Sequence, residues 1–150
     1  MTIYLVSDHA GFMLKEIIKN YLLDNNLPVE DLGPESAEPV SWVEYGAKAA
    51  EKISANPGNS KGIFLCGSGL GMSIVANKFK HVRAALCNDL YTAEMSRKHN
   101  NANVLNMGAR VIAPELALRI VEKWLNTEFA GNRHQQRLDQ LNETEEKNFK

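Results

Sequence analysis

The 150-residue sequence has two cysteines, few aromatic residues (7%) and almost no net charge (formally −1). A basic surface for nucleic acid or anionic membrane is therefore not predicted, and an anionic ligand would need a local cluster of cations. No run of 18 apolar residues is present, and the first residues resemble a strand rather than a signal peptide. We expect a cytoplasmic protein that contacts neither nucleic acid nor membrane. In that reducing compartment Cys66 and Cys87 are expected to be free thiols, with Cys87 a buried apolar residue.

Short apolar runs alternate with amphipathic stretches along the whole chain. The pattern predicts five strands, at Ile3–Val6, Pro28–Leu32, Ile63–Leu65, Val82–Leu86 and Val104–Met107. It predicts helices from Phe12, over Glu44–Ser54, from the glycine loop to Lys78, over Leu90–Lys98 and from Pro114 to near Thr127. In the first helix, Lys15, Glu16 and Lys19 are expected to face away from the core.

Strands that alternate with helices predict an α/β fold, because parallel strands need crossover connections. We expect a single domain over residues 1–150, a three-layer α/β/α arrangement with a five-stranded parallel Rossmann-like sheet. The tail from about residue 133 is expected to be helical and to pack on a partner subunit, with partial fraying as the alternative. Ligands of such sheets bind at the carboxyl ends of the strands, where Asp8-His9 and the Cys66 loop lie.

Three glycines, Gly67, Gly69 and Gly71, follow the third predicted strand. Glycine lets backbone N–H groups turn inward, and the helix that follows adds positive potential, so the loop predicts a nest for a phosphate or an oxyanion. A simple tight turn is the alternative. The loop fits neither a dinucleotide fingerprint nor a P-loop, which needs a lysine, nor a serine-hydrolase elbow, which needs glycine where Cys66 stands.

Cys66 heads the glycine loop and lies beside its N–H groups, a setting that favours the thiolate form. Other polar residues are weaker candidates, each with a plain structural alternative. Asp8-His9 resembles a helix cap, and His99-Asn100 the end of a helix. Arginine matches phosphate oxygens in pairs, so the predicted phosphate clamp is Arg110, Arg133 and Arg137. Arg133 and Arg137 would share a helix face, which is more often simply solvated.

Several ordered motifs together identify a family. They are SDHAGF (7–12), CGSGLGMS (66–73), SRKHNNANVL (96–105), GARV (108–111) and GNRH (131–134) with Arg137. Along nearly its whole length the chain resembles the type-B ribose-5-phosphate isomerases and the related galactose-6-phosphate isomerase subunits. The resemblance implies a homodimer or homotetramer with shared active sites and no metal or organic cofactor. It also implies a sugar-phosphate substrate, with ribose 5-phosphate and ribulose 5-phosphate interconverted through an enediolate.

The resemblance implies a role for each residue. Cys66 is the base that takes the proton beside the carbonyl, and Asp8 moves a proton between the two oxygens. His99, with Ser68 nearby, opens the sugar ring, and Asn100 holds sugar hydroxyls. The N–H groups of Gly67, Gly69, Leu70 and Gly71 hold the enediolate, while His9, Arg110, Arg133 and Arg137 grip the phosphate. His99, Asn100 and Arg110 are implied to reach across from a second subunit.

Two positions depart from the family pattern, and a third, Met72, bears on the identity of the base. Trp42, in Ser41-Trp42-Val43, stands where many members have a tyrosine that lines the sugar. Ser68 stands where threonine is common, and Met72 where some relatives have a carboxylate base. Methionine cannot accept a proton, which leaves Cys66 as the candidate base. Trp42 leaves open the isomerisation of a four- or six-carbon sugar phosphate, such as galactose 6-phosphate or allose 6-phosphate. A non-catalytic phosphosugar-binding subunit is a further alternative.

Overall fold

The computed structural model describes residues 1–149 and contains five strands and six helices within them. The strands are β1 (Thr2–Ser7), β2 (Val29–Asp31), β3 (Ser60–Cys66), β4 (Ala84–Leu86) and β5 (Val104–Gly108). The helices are α1 (Phe12–Asp24), α2 (Trp42–Ala55), α3 (Leu70–Ala76), α4 (Leu90–Lys98), α5 (Pro114–Asn126) and α6 (Arg133–Asn148). None of the helices in this described part is long and apolar enough to cross a membrane.

The five strands form one parallel sheet in the order β2-β1-β3-β5-β4, which confirms the predicted α/β fold. The chain passes outward from β1 to β2 on one side; on the other side it passes from β3 to the edge strand β4 and returns to β5 between them. The strand order therefore reverses between the adjacent strands β1 and β3. In parallel sheets a crevice opens at the carboxyl ends of such neighbours.

Side chains of the central strands alternate between two apolar cores, one on each face of the sheet. From β3, Ile63 and Leu65 enter the core covered by α1, α4 and α5. Phe64 and Cys66 enter the core covered by α2 and α3. This two-residue period is that of a strand buried on both faces. Cys87 lies fully buried in the first core, and both thiols are free, as predicted.

Lys15 is the clearest departure from the sequence pattern. It was expected to face solvent, but its side chain is fully buried and its ammonium group donates to both carboxylate oxygens of Asp31, at 2.8 and 2.9 Å. Asp31 ends β2, next to β1 in the sheet, so the ion pair joins α1 to the sheet edge. A helical period shows which positions share a face, but not that a carboxylate 16 residues away lies under one of them.

Element ends also differ from the predicted ones. Strand β3 begins at Ser60 because it pairs with β1 from Thr2 onward. Helix α2 begins at Trp42 because the hydroxyl of Ser41 accepts a hydrogen bond from the Glu44 N–H. Strand β4 is shorter than predicted, because the Val82 N–H is used in a turn with the Phe79 carbonyl.

Helix α6 follows the tail over Arg133–Asn148, and Leu138 is its one buried residue. Its far end contacts its own chain, where Glu145 accepts a hydrogen bond from the His81 N–H at 2.8 Å. The rest of its surface is largely exposed. Packing of this helix on a partner subunit stays a prediction.

Candidate active site

Three adjacent strands deliver the candidate site to one edge of the sheet. Asp8 follows β1, Cys66 ends β3, and Arg110 lies two residues beyond β5. All three line one pocket of about 480 Å³. The other residues that line it are Trp42, Gly67, Ser68, Gly71 and Val111. This volume lies in the range of small-molecule sites.

The thiol of Cys66 lies at the inner end of this pocket, with about 5% of the residue exposed. The Gly69 N–H donates to its Sγ atom at 3.2 Å, so one N–H group of the loop faces the thiol, and binding of an anion by the loop stays a prediction. Gly69 adopts φ +82°, the left-handed region that favours glycine, and this conformation turns its N–H back towards Cys66.

The glycine loop is tied to the loop that follows β5. The Ala109 N–H donates to the Cys66 carbonyl and the Arg110 N–H to the Gly67 carbonyl, both at 2.9 Å. The Arg110 side chain lies over Gly67, since a Cβ at Gly67 would meet Nη1 at 3.4 Å. Arg110 thus lines the pocket of its own chain, and its reach into the site of a second subunit stays a prediction.

Asp8 is 6% exposed, and its Oδ1 atom accepts a hydrogen bond from the Gly11 N–H at 3.0 Å. Asp8 thus closes the turn before α1 but does not cap the helix, whose N-cap residue is Gly11, so the helix-cap interpretation is wrong. Gly11 itself packs against β3, because a Cβ there would lie 2.8 Å from the Leu65 carbonyl oxygen. This close approach brings the start of α1, and with it Asp8, against the strand that carries Cys66.

His9 and Trp42 belong to neighbouring segments. The Val40 N–H donates to Nδ1 of His9 at 3.2 Å. Two residues later Trp42 lies at the pocket with 40% of its surface exposed, and its indole covers Gly71. Trp42 therefore lines the candidate site, at the position where the family tyrosine was expected.

The remaining predicted site residues lie outside this pocket. His99 ends α4, and its ring stacks on His134 of α6, with centroids 4.3 Å apart and planes at 14°. The pKa of the His134 imidazole is lowered by its loss of solvent, by the neighbouring His99 imidazole and by the charge of Arg133. His99, His134 and Arg133 form this second group, and Asn100 and Arg137 are their neighbours along the chain. Asn101, with φ +47°, turns the chain after His99, so the helix-end interpretation holds.

Sequence reasoning missed three residues at these sites. Val111 lines the pocket, and Asn88 accepts a hydrogen bond from the Gly108 N–H at 2.9 Å, at the end of β5. His134 stands inside the GNRH motif but was given no role. The motif could have drawn attention to it, whereas its stacking on His99 joins residues 35 positions apart, and no local pattern reveals that.

Within residues 1–149 no three His, Cys, Asp or Glu side chains are grouped to hold a metal ion. A wider depression of about 620 Å³ lies elsewhere, between α1, α2 and the end of β2. Its Lys19 and Lys48 donate to Asp31 and to the Leu32 carbonyl, and its described lining includes neither thiol nor imidazole. The Cys66 pocket is therefore the better candidate, although it is the smaller.

The chain is similar in sequence to bacterial sugar-phosphate isomerases. It is 40% identical over 140 residues to ribose-5-phosphate isomerase B of Escherichia coli, covering 93% of each chain. It is also 40% identical over 150 residues to a putative sugar phosphate isomerase of Bacillus subtilis, covering 99% of this chain and 100% of that one.

Solved structures give the same result. Ribose-5-phosphate isomerase B of Clostridium thermocellum superposes with a TM-score of 0.94 at 44% identity, covering 98% of this chain and 99% of that one. The Mycoplasma genitalium enzyme of that name, solved with bound ribulose 5-phosphate, also has a TM-score of 0.94, at 36% identity and 97% and 96% coverage. The family model described as Ribose/Galactose Isomerase matches residues 3–141. The resemblance predicted from the motifs is confirmed: the chain belongs to the ribose/galactose isomerase family.

Proposed function

We propose that this chain is an aldose–ketose isomerase that interconverts ribose 5-phosphate and ribulose 5-phosphate, with Cys66 as the base. The observation that carries the proposal is the position of the Cys66 thiol. It lies in one pocket with Asp8 and Arg110 and accepts a hydrogen bond from the Gly69 N–H. The substrate is supported by the E. coli relative and by the ligand bound in the Mycoplasma structure.

The reaction needs only proton transfers. The thiolate of Cys66 takes the proton from C2 of the open-chain aldose, and charge develops on the carbonyl oxygen. Loop N–H groups stabilise that enediolate oxygen, since donors aimed at a developing charge are worth about 3–4 kcal/mol each. Asp8 carries the hydroxyl proton from O2 to O1, and the thiol returns its proton to C1. The proton lost from C2 is thus regained at C1, and the proton lost from O2 is regained at O1.

The phosphate is assigned to the cationic side of the pocket. Arg110 lies there with its guanidinium over Gly67, and guanidinium donors match phosphate oxygens in pairs. His9 accepts from Val40 through Nδ1, so neutral His9 carries its proton on Nε2 and has a donor to offer an anion.

His99, Asn100, Arg133 and Arg137 are assigned to the pocket of a second copy of the chain. They lie outside the Cys66 pocket of their own chain, and the stack with His134 groups His99 with the first turn of α6. In a homodimer with shared sites, this second group would complete the partner's pocket. Ring opening by His99 and the hold of Asn100 on sugar hydroxyls then belong to the assembled dimer.

Replacement of the proposed base tests the proposal. Cys66→Ala is expected to lower kcat about 10³-fold, in line with a lost general base, and to stop exchange of the C2 proton in deuterated water. Binding of ribose 5-phosphate, measured by calorimetry, should change by only a few fold. Cys87→Ala, at the buried thiol outside the pocket, is the matched control and should keep its turnover. Undiminished turnover in Cys66→Ala would rule out the assignment.

Trp42 lines the pocket where the family often has a tyrosine, so the length of the sugar is the part of the proposal that it leaves open. The second candidate is the isomerisation of a sugar phosphate of four or six carbons. A panel of aldose phosphates ranked by kcat/KM separates the two candidates. Protein that binds ribose 5-phosphate but isomerises no member of the panel would instead be a non-catalytic binding subunit.

A further inference from the structure

We propose that Trp42 limits the length of the sugar that the Cys66 pocket accepts, and that His9 holds Trp42 in place through Val40. The inference rests on the proposed function and deepens it, since it assigns a specificity-determining residue and a positioning residue. It is carried by one contact of the indole with Gly71 and one hydrogen bond between His9 and Val40.

The indole of Trp42 forms a wall of the pocket. A Cβ built on Gly71 would lie 2.9 Å from the Cδ2 and Cε3 atoms and 3.2 Å from Cε2, so the ring rests directly on the glycine backbone. Gly71 is in the first turn of α3, on the same loop that carries Cys66. The wall therefore lies against the element that holds the reacting thiol, and its position sets the space beside it.

The backbone that carries Trp42 is fixed at two points. The hydroxyl of Ser41 accepts the Glu44 N–H at 3.3 Å and begins α2 there. One residue earlier, the Val40 N–H donates to Nδ1 of His9 at 3.2 Å. His9 is the second residue after β1, so the bond connects the wall to the end of a central strand. Because this bond needs an unprotonated Nδ1, it also fixes the tautomer that leaves Nε2–H for an anion.

A fixed aromatic wall discriminates mainly against longer ligands. A hydrophobic contact that differs by one carbon changes kcat/KM by about 10- to 200-fold. A five-carbon phosphate shares one pocket with the Cys66 thiol, Arg110 and the indole, and a sixth carbon would have to displace the indole. Removal of the wall should therefore favour the longer substrate relative to the shorter one.

The first arm of the test compares substrates. For wild type, Trp42→Ala and Val43→Ala, kcat/KM and dissociation constants are measured with ribose 5-phosphate and with a six-carbon aldose 6-phosphate. Val43, 46% exposed beside Trp42 but not part of the pocket lining, is the matched control. Trp42→Ala should raise the six-to-five-carbon ratio by at least about 10-fold, while Val43→Ala leaves it unchanged. An unchanged ratio in Trp42→Ala overturns the specificity assignment.

The second arm tests the positioning by His9 in protein without ligand. Trp42 is 40% exposed and Trp124 fully buried, so acrylamide quenching of tryptophan emission reports on Trp42, with Trp42→Phe as the background. His9→Ala removes the acceptor for Val40, and quenching of Trp42 should rise. His9→Asn offers an oxygen near the Nδ1 position and should restore the wild-type value. Equal quenching in wild type and His9→Ala overturns the positioning role.

The two arms separate this inference from the proposed function. Quenching requires no turnover, and the ratio of dissociation constants can be measured even if the chain isomerises neither sugar. Absence of turnover in wild type would contradict the proposed reaction alone. A dissociation-constant ratio that Trp42→Ala leaves unchanged would contradict the wall in that case as well.

Discussion

At the scale of single residues, Gly69 is the glycine whose backbone conformation directs its N–H group towards the proposed reacting thiol. It adopts φ +82°, and a Cβ there would lie 2.9 Å from the Met107 carbonyl carbon and closer still to the Leu86 side chain. We expect Gly69→Ala to destabilise the fold by about 3 kcal/mol, since left-handed strain adds to overpacking. Urea unfolding followed by circular dichroism measures this loss.

Two other glycines separate strain from overpacking. Gly131 also has a left-handed φ, +67°, but a Cβ there meets nothing within 4 Å. Gly58 is outside the left-handed region and is equally open. Gly131→Ala should cost about 1 kcal/mol, and Gly58→Ala should be neutral or slightly stabilising. A loss in Gly69→Ala no larger than that in Gly131→Ala would contradict the overpacking at Gly69.

The two thiols should react differently with iodoacetamide. Burial raises the pKa of Cys87, despite hydrogen bonds from Ser96 and Thr92, so its thiolate fraction at neutral pH is reduced. Cys66 opens into a pocket and receives an N–H donor. At pH 7 mass spectrometry should find one modified cysteine, Cys66, which ribose 5-phosphate protects. Modification of Cys87 should rise only at higher pH, and equal rates for both thiols at pH 7 would contradict this.

At this scale the sequence predicts where a residue lies from its place after a strand, but not the contacts between residues distant in the chain. Asp8 and Cys66 were predicted together because both follow strands, and the carboxyl ends of neighbouring parallel strands meet at one edge. The fully buried Lys15 was missed because its partner Asp31 is distant in sequence. Pairing of His99 with His134 likewise depends on how α6 folds back, which no local period encodes.

At the scale of elements, the Lys15–Asp31 pair joins α1 to β2. Removal of the carboxylate leaves the buried Lys15 ammonium group without its partner. Asp31→Ala should therefore lower the free energy of unfolding by about 2 kcal/mol, a loss moderated by the partial exposure of Asp31. Lys15→Met fills the buried site with an apolar chain and should stay within about 1 kcal/mol of wild type. Urea unfolding of both variants tests the ordering, and equal losses would contradict it.

The same pair predicts a pH dependence of stability. Burial raises the pKa of Asp31, but hydrogen bonds from Lys15, Gly33 and Lys19 outweigh it and bring the pKa below its ordinary value of 3.8. The stabilisation by the ion pair is therefore complete at a pH above that ordinary pKa. It is lost as the pH falls through the lower pKa that Asp31 has in the folded protein. Wild type should lose stability more steeply than Asp31→Ala between about pH 4 and pH 2. Parallel curves for the two proteins would argue against the pair.

Elements were predicted more reliably than their ends. Apolar periodicity located all five strands and the helices between them, because each buries one stripe or both faces. Their ends depend on partners outside the element. The start of β3 at Ser60 is set by pairing with β1, and the first residue of α2 is set by the Ser41 hydroxyl.

At the scale of the whole molecule, alternating strands and helices predict a parallel sheet but not its strand order. In the structure β5 lies between β3 and β4, which places Arg110 beside the Cys66 loop. That Arg110 also serves a second copy of the chain stays a prediction, since here it lines the pocket of its own chain. His99 and Asn100, by contrast, lie outside the pocket of their own chain, so the case for a shared site now depends on them.

A shared site predicts that two inactive chains can complement each other. Cys66→Ala and His99→Ala should each lose most activity alone. In a mixed dimer one pocket combines the intact Cys66 of one chain with the intact His99 of the other, and the second pocket lacks both. Random pairing of equal amounts then gives about one quarter of wild-type activity, since half of the dimers are mixed and half of their pockets are intact. Co-refolding the variants and assaying isomerisation measures this. If Cys66 and His99 of the same chain formed each site, the mixture would stay as inactive as its components, and the second-copy assignment of His99 would have to be abandoned.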